Sequence, residues 1–167
     1  DVTFDEDGSP NLISLSASDV DGDDLTFSIT EGADITATLT GSDLNFSVPT
    51  DYNGSENFTI TVTDSGELTD SQIITVTVNA VNDTPVAQTG LSGTGDEDQS
   101  ISVLLSGSDV DGDVLTYSIT SSPINGSVEI SGSNAVYTPG DNFNGSDSFE
   151  FTVSDGFLSD TATVGLS

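Results

Sequence analysis

Apolar and polar side chains alternate along much of this chain. Phe58, Ile60 and Val62 are separated by Thr59 and Thr61, and Phe149, Phe151 and Val153 by Glu150 and Thr152. Leu25, Phe27 and Ile29 repeat the pattern, as do Leu115, Tyr117 and Ile119. A period of two sends alternate side chains to opposite faces, so these runs predict half-buried strands. Their Thr, Val, Ile and Phe content suits a pleated surface. Clusters such as Asp51-Tyr52-Asn53-Gly54 punctuate them as turns. No window carries a helical stripe, and no apolar run approaches the roughly 20 residues a membrane helix needs. The pattern predicts strands near 2–4, 11–17, 24–31, 35–40, 43–48, 56–64 and 71–81. A second set is predicted near 86–92, 100–107, 114–120, 126–131, 134–138, 147–155 and 159–166. The expected fold is all-β.

The two sets are copies of one unit. Asp19-Val20-Asp21-Gly22-Asp23 recurs as Asp109-Val110-Asp111-Gly112-Asp113, 90 residues later. Asp5-Glu6-Asp7 recurs as Asp96-Glu97-Asp98 at an interval of 91, and Asn53-Gly54-Ser55 as Asn144-Gly145-Ser146 at the same interval. Seven short strands in each copy predict an immunoglobulin-like Greek-key β-sandwich. Two tandem sandwiches are expected, residues 1–83 and 84–167, joined at Asn82-Asp83-Thr84-Pro85, where Pro85 interrupts any strand ladder.

Composition then narrows the chemistry. The 167 residues include 29 Asp and Glu but no Lys, Arg, His, Cys, Met or Trp, for a formal charge of −29. Nucleic acid is excluded as a partner, because phosphate binding rests on Lys and Arg. Direct membrane insertion and attraction to anionic lipid are excluded by the same sign. Disulfides, thiolate catalysis, Cys/His zinc sites and a Ser-His-Asp relay all need residues that are missing. Only carboxylate chemistry remains, and the Asp64-Ser65-Gly66 stretch that brushes against an aspartic-protease signature is not kept in its repeat, Asp155-Gly156. The expectation is a protein that is not an enzyme.

The acids gather at turns rather than along strand faces. Several carboxylates within five residues repel one another, and no basic side chain relieves them. A hard divalent cation would, and calcium takes six to eight oxygen ligands in flexible geometry. The Asp-x-Asp-Gly-Asp runs are not EF-hands: counting from Asp19 or Asp109, position 6 is Asp24 or Val114 and position 12 is Thr30 or Thr120.

Four motifs in order give the chain a family likeness. An acid follows the first strand (Glu6, Glu97). Asp-x-Asp precedes a strand ending in Phe27-Ser28-Ile29 or Tyr117-Ser118-Ile119. Asp64-Ser65-Gly66 follows the penultimate strand, and Asn82-Asp83-Thr84-Pro85 follows the last. Over essentially its whole length the chain resembles two tandem cadherin-like repeats of large secreted bacterial adhesins and matrix proteins. The resemblance implies Ca2+ held by Glu6, Asn82, Asp83, Asp109, Asp111 and Asp155, with Asp113 as a further ligand. It implies half-sites at Asp19, Asp21, Asp23 and Asp64 toward a preceding repeat, and at Glu97, with Asp147, toward a following one. The arginine-containing acidic motif of that family is missing, and Asp51 or Glu56 is the stand-in.

The resulting expectation is a calcium-rigidified spacer or adhesion segment, secreted or on a cell surface or in a matrix. Its partners would be neighbouring repeats or copies of itself. Two alternatives stand beside it. One is a self-assembling filament subunit; the other is a carbohydrate-binding module meeting surface polysaccharide through Tyr52 and Phe143, the paired turn aromatics, whose favoured reading is as plugs at the end of each sandwich.

Overall fold

The computed structural model describes the chain except Ser9 and Asn11, so the expected strand at 11–17 begins outside the described residues. Every regular element among the described residues is a β-strand. The chain divides into two units, Asp1–Val81 and Asn82–Ser167. Asn82 and Asp83 fall with the second unit because their hydrogen bonds reach Asp155 and Asp111.

The first unit contains β1 (Val2–Asp5), β2 (Ile13–Ser14), β3 (Thr26–Ile29), β4 (Thr36–Thr40), β5 (Asp43–Ser47), β6 (Gly54–Thr63) and β7 (Thr69–Asn79). One sheet has the order β1-β7-β6-β3 and the other β2-β5-β4. Strand β1 runs parallel to β7, with Phe4 opposite Val78, and the remaining pairs are antiparallel. The chain leaves the first sheet after β3 and returns at β6, which gives the Greek-key connection of an immunoglobulin-like sandwich.

The second unit contains β8 (Val86–Ala87), β9 (Ser92–Gly93), β10 (Ile101–Leu104), β11 (Gly107–Ser108), β12 (Thr116–Ser121), β13 (Gly126–Ser131), β14 (Asn134–Pro139), β15 (Asp147–Ser154) and β16 (Ser159–Leu166). Its sheets are β12-β15-β16-β9 and β10-β14-β13, with β8 paired to β11. Two runs expected as single strands are therefore split. The run at 86–92 becomes β8, antiparallel to β11, and β9, parallel to β16. Gly90, at φ 76°, lies between them, a backbone angle that glycine adopts without the Cβ clash other residues meet. The run at 100–107 splits likewise, β10 pairing with β14 and β11 with β8. In the first unit the run at 11–17 keeps only Ile13–Ser14 as strand among its described residues.

The alternation read from the sequence is what fills each core. In the first unit Leu44 and Phe46 of β5, Phe58 of β6, and Val76 and Val78 of β7 are buried, along with Ile35 from the connection before β4. The Phe46 and Phe58 rings meet from the two sheets, centroids 5.2 Å apart and tilted by 59°, within the favourable range for aromatic pairs. In the second unit Phe149, Phe151 and Val153 of β15 and Ala162, Val164 and Leu166 of β16 are all buried. Burying one such side chain contributes about 1.5–3 kcal/mol. Val153 and Phe151 are fully enclosed, and the equivalent Val62 and Ile60 are half-buried.

Candidate metal centre

The Asp-x-Asp-Gly-Asp run builds the same loop in each unit. Gly22 and Gly112 sit at φ 82° and 78°, where a side chain is strained, so the glycine lets the loop curl back on its first aspartate. In the first unit Asp19 Oδ1 accepts hydrogen bonds from the amides of Asp21 (2.8 Å), Gly22 (2.9 Å) and Asp23 (3.2 Å). Those amides, led by that of Asp23, hold the Asp19 carboxyl below the ordinary carboxylate range. Ser65 Oγ donates to Asp23 Oδ1 at 2.9 Å, tying the loop to the β6–β7 turn. Asp64 Oδ1 in that turn accepts the Leu68 amide at 2.8 Å. Asp21 and Asp23 are exposed, and Asp19 and Asp64 half-buried.

The second unit gathers its acids more tightly. Asp109, Asp111 and Asp113 each present a carboxylate oxygen within 4.8 Å of the other two. At that separation each like-charge pair costs on the order of 1 kcal/mol even with the screening of bulk water. Asp109 Oδ1 accepts only a long bond from the Asp113 amide, 3.2 Å. Its Oδ2 is closed off from solvent and has no hydrogen-bond partner among the described residues. Buried polar atoms are ordinarily paired, and an orphaned carboxylate oxygen is costly.

Residues 82 and 83 reach into the same cluster. The Asp83 amide donates to Asp111 Oδ2 at 2.8 Å, and Asn82 Nδ2 donates to Asp155 Oδ2 at 2.8 Å. Asp155 Oδ1 also accepts the amides of Phe157 (2.6 Å) and Leu158 (2.7 Å). The Asn82 side chain, followed by these amides, keeps the Asp155 carboxyl below the usual range. The structure thus links Asn82 to Asp155 and Asp83 to Asp111, and clusters Asp111 with Asp109 and Asp113.

The two glutamates at the opposite ends of their units differ. Glu6 is 2% exposed. Its Oε1 accepts the Val81 amide at 2.7 Å, and Asn53 Nδ2 approaches its Oε2 at 3.5 Å. Glu97 is exposed and lines a cavity of about 250 Å³ with Tyr137, Phe143 and Asp147.

Two of the remaining acids hold backbone. Glu56, a suggested stand-in ligand, accepts the amides of Ala33 (2.9 Å), Asp34 (2.8 Å) and Ile35 (3.3 Å). Asp147, its counterpart in the second unit, accepts those of Ile124 (3.1 Å), Asn125 (2.7 Å) and Ser148 (2.9 Å), and the Tyr137 hydroxyl at 3.1 Å. Partial burial alone would raise both carboxyl pKa values, and the amides outweigh it and lower them. These carboxylates fasten the connection between β3 and β4, or β12 and β13, to the start of the long strand that carries them. Their recurrence at a fixed interval was the available signal. Asp51, the other stand-in, is exposed at φ 56°. Tyr52 and Phe143 are half-buried, and Tyr52 packs on its core, as a plug would. Phe157 is 85% exposed beside Asp155, an aromatic that the alternation did not mark as outward-facing.

Comparison with known proteins agrees with this architecture. A family model described as bacterial Ig domain matches twice, over residues 1–77 and 82–167. Among curated proteins none matches. The extracellular cadherin domains 1–5 of protocadherin gamma B2 match at 18% identity and TM-score 0.57, over 98% of this chain and 40% of that one. Protocadherin gammaB7 EC3-6, described as a cis-dimer, matches at 19% and 0.56, over 98% and 50%. The chain therefore spans at most half of these structures, and at such identities the likeness establishes the fold. An endo-fucoidan hydrolase of glycoside hydrolase family 107 matches at 25% over 99% of this chain and 27% of that one. Its TM-score of 0.40 carries no argument about activity. The double match across nearly every residue places the chain in the bacterial Ig domain family, as two tandem cadherin-like sandwiches.

Proposed function

We propose that this chain is a calcium-binding repeat module, a stiffened spacer within an adhesive surface or matrix protein. One observation carries the reading: Asp109 Oδ2 is closed to solvent and unpaired beside Asp111 and Asp113, in a chain without a basic side chain. All-oxygen donors of this kind suit a hard cation such as calcium rather than zinc or copper. Asp109, Asp111, Asp113 and Asp155 would supply carboxylate oxygens, and Asn82 and Asp83 would bring the linker into the same coordination.

The consequence is mechanical as well as thermodynamic. A calcium ion held by both the linker and the Asp109–Asp113 loop restricts the backbone at residues 82 and 83. Extracellular calcium modules bind with dissociation constants of about 10⁻⁴–10⁻³ M. Ion at about a hundred times that constant adds roughly 2.7 kcal/mol per site to the folded state. Set against a total stability of about 5–15 kcal/mol, the gain is substantial. Neighbouring repeats are the partners this reading supplies, and an extracellular setting, where calcium is abundant, is its location.

The test is a thermal melt of the full chain in excess calcium and in chelator, with Asp111→Ala beside it. A calcium-dependent rise in Tm that shrinks in the variant supports the reading. Equal melting in both conditions overturns it.

A further inference from the structure

On one side, each sandwich ends in two neighbouring outer strands, β3 and β4 in the first unit and β12 and β13 in the second. Among the described residues no strand pairs with their far edges. An outer strand leaves a row of main-chain N–H and C=O groups open, a template for another strand unless something blunts it. Three of the four are blunted. Strand β3 has only four residues, with Asp24 and Glu31 standing close to its ends. Strand β12 is interrupted by a bulge between Ile119 and Ser121, and Pro123 follows it. Strand β13 carries the exposed Glu129 near its centre.

Strand β4, Thr36-Ala37-Thr38-Leu39-Thr40, has none of these features. It contains no charge and no proline, and it pairs with β5 residue for residue without a bulge. Thr36, Thr38 and Thr40 are exposed, and Ala37 and Leu39 are half-buried against the core. This edge lies away from the side on which a repeat's first segment runs. In the second unit that segment supplies β8, which pairs with β11, and β13 still keeps the outer place that β4 holds in the first.

We infer that β4 is a self-association edge, pairing antiparallel with β4 of a second copy of this chain about a two-fold axis at Thr38. The strand is symmetric about its middle residue: from either end, threonine stands first, third and fifth. Pairing about Thr38 sets Thr38 against the partner's Thr38, and Thr36 against the partner's Thr40. Facing threonines are favourable cross-strand pairs. On the inner face the small Ala37 meets the partner's larger Leu39, and the same contact recurs across the axis, as an isologous interface requires. Asp34, the nearest acid before the strand, comes opposite the partner's Ser42, so no acid faces an acid. Main-chain pairing then joins the two three-stranded sheets into one, the mode of recognition by strand addition. The contact spans five residues, well under the roughly 1,200 Å² of a stable interface. It is therefore weak, and it loosens at low ionic strength, where the charge of −29 on each copy is least screened. It uses no cation.

The full chain tests this in chelator, which removes any contact bridged by a metal. The chain has no cysteine, so a single introduced thiol reports only its own neighbours. Directly opposed residues have Cβ atoms about 4.5–5.5 Å apart, close enough for a disulfide after slight adjustment. With diamide as oxidant and millimolar protein, Thr38→Cys is expected to form a covalent dimer at least tenfold faster than Thr36→Cys or Thr40→Cys alone. Mixing Thr36→Cys with Thr40→Cys should restore the fast rate, because this register sets those two positions face to face. In the 15N-labelled wild type, amide shifts at Ala37, Thr38 and Leu39 should grow with protein concentration and with added salt. Thr38→Glu, which places two charges on the axis, should abolish them, and Thr161→Glu, at an exposed strand position of the second unit, should leave them. Equal slow cross-linking at all three positions overturns the inference, as does fastest cross-linking of Thr36→Cys or Thr40→Cys with itself. Shifts that ignore concentration, or that survive Thr38→Glu, overturn it too.

Discussion

Replacing Asp147 by Ala separates a surface charge from a structural one. In a chain of net charge −29 with no basic side chain, removing an ordinary surface carboxylate lowers self-repulsion and leaves stability unchanged or slightly improved. Asp147 instead accepts amides from Ile124, Asn125 and Ser148 and the hydroxyl of Tyr137, itself 2% exposed. Hydrogen bonds to a charged acceptor contribute about 1.5–3 kcal/mol each when buried, and less where water replaces the lost partner. Asp147 is half-buried, so water can reach some of its donors, whereas the Tyr137 hydroxyl is poorly placed to find a substitute. A net loss of about 2–4 kcal/mol is expected. For a unit of this size that lowers Tm by roughly 8–32 °C, at about 4–8 °C per kcal/mol. The assay is urea or thermal unfolding beside Glu150→Ala, an exposed strand acid of the same unit. The pH dependence has a definite sign. Because the Asp147 carboxyl is depressed in the folded state, its contribution is fully present above the ordinary Asp pKa. It is lost as pH falls through the lower, folded value. The difference between wild type and Asp147→Ala should therefore narrow on acidification. An Asp147→Ala protein as stable as Glu150→Ala at neutral pH would refute the reasoning.

Three further outcomes follow from the packing. Glu56→Ala should destabilise the first unit in the same sense, since it frees the amides of Ala33, Asp34 and Ile35; hydrogen exchange at those amides reads it directly. Phe58→Ala, at a fully enclosed position in contact with Phe46, should cost about 3–5 kcal/mol by chemical denaturation. Gly32→Ala should cost about 1–3 kcal/mol, because its Cβ would lie 2.2 Å from the Ile35 carbonyl oxygen and 2.7 Å from the Phe58 ring. A neutral result at Gly32 would show that this turn shifts freely.

The alternating runs were legible because burial on one face leaves a period of two, and Phe149, Phe151 and Val153 stand in the core as that period requires. The repeat and the acidic loops were legible because a curled aspartate loop needs its glycine at a fixed place, as Gly22 and Gly112 show. Strand breaks were not. Residues 86–92 read as one run, yet Gly90 turns the chain so that its halves pair with different strands. Nor could a sequence tell which acids hold backbone. Asp19 and Asp147 look alike in composition terms, but one curls its own loop and the other fastens a connection more than twenty residues away.

The most direct test of a specific cation site is a calcium titration of the 15N-labelled full chain, followed amide by amide, with Asp109→Asn as the comparison. Specific binding predicts saturable shifts concentrated at Asn82–Asp83, at Asp109–Asp113 and around Asp155, and at least a tenfold weaker response in the variant. Small, unsaturating shifts spread over all the acidic turns, and equal in both proteins, would contradict it and leave these carboxylates with a diffuse counterion atmosphere.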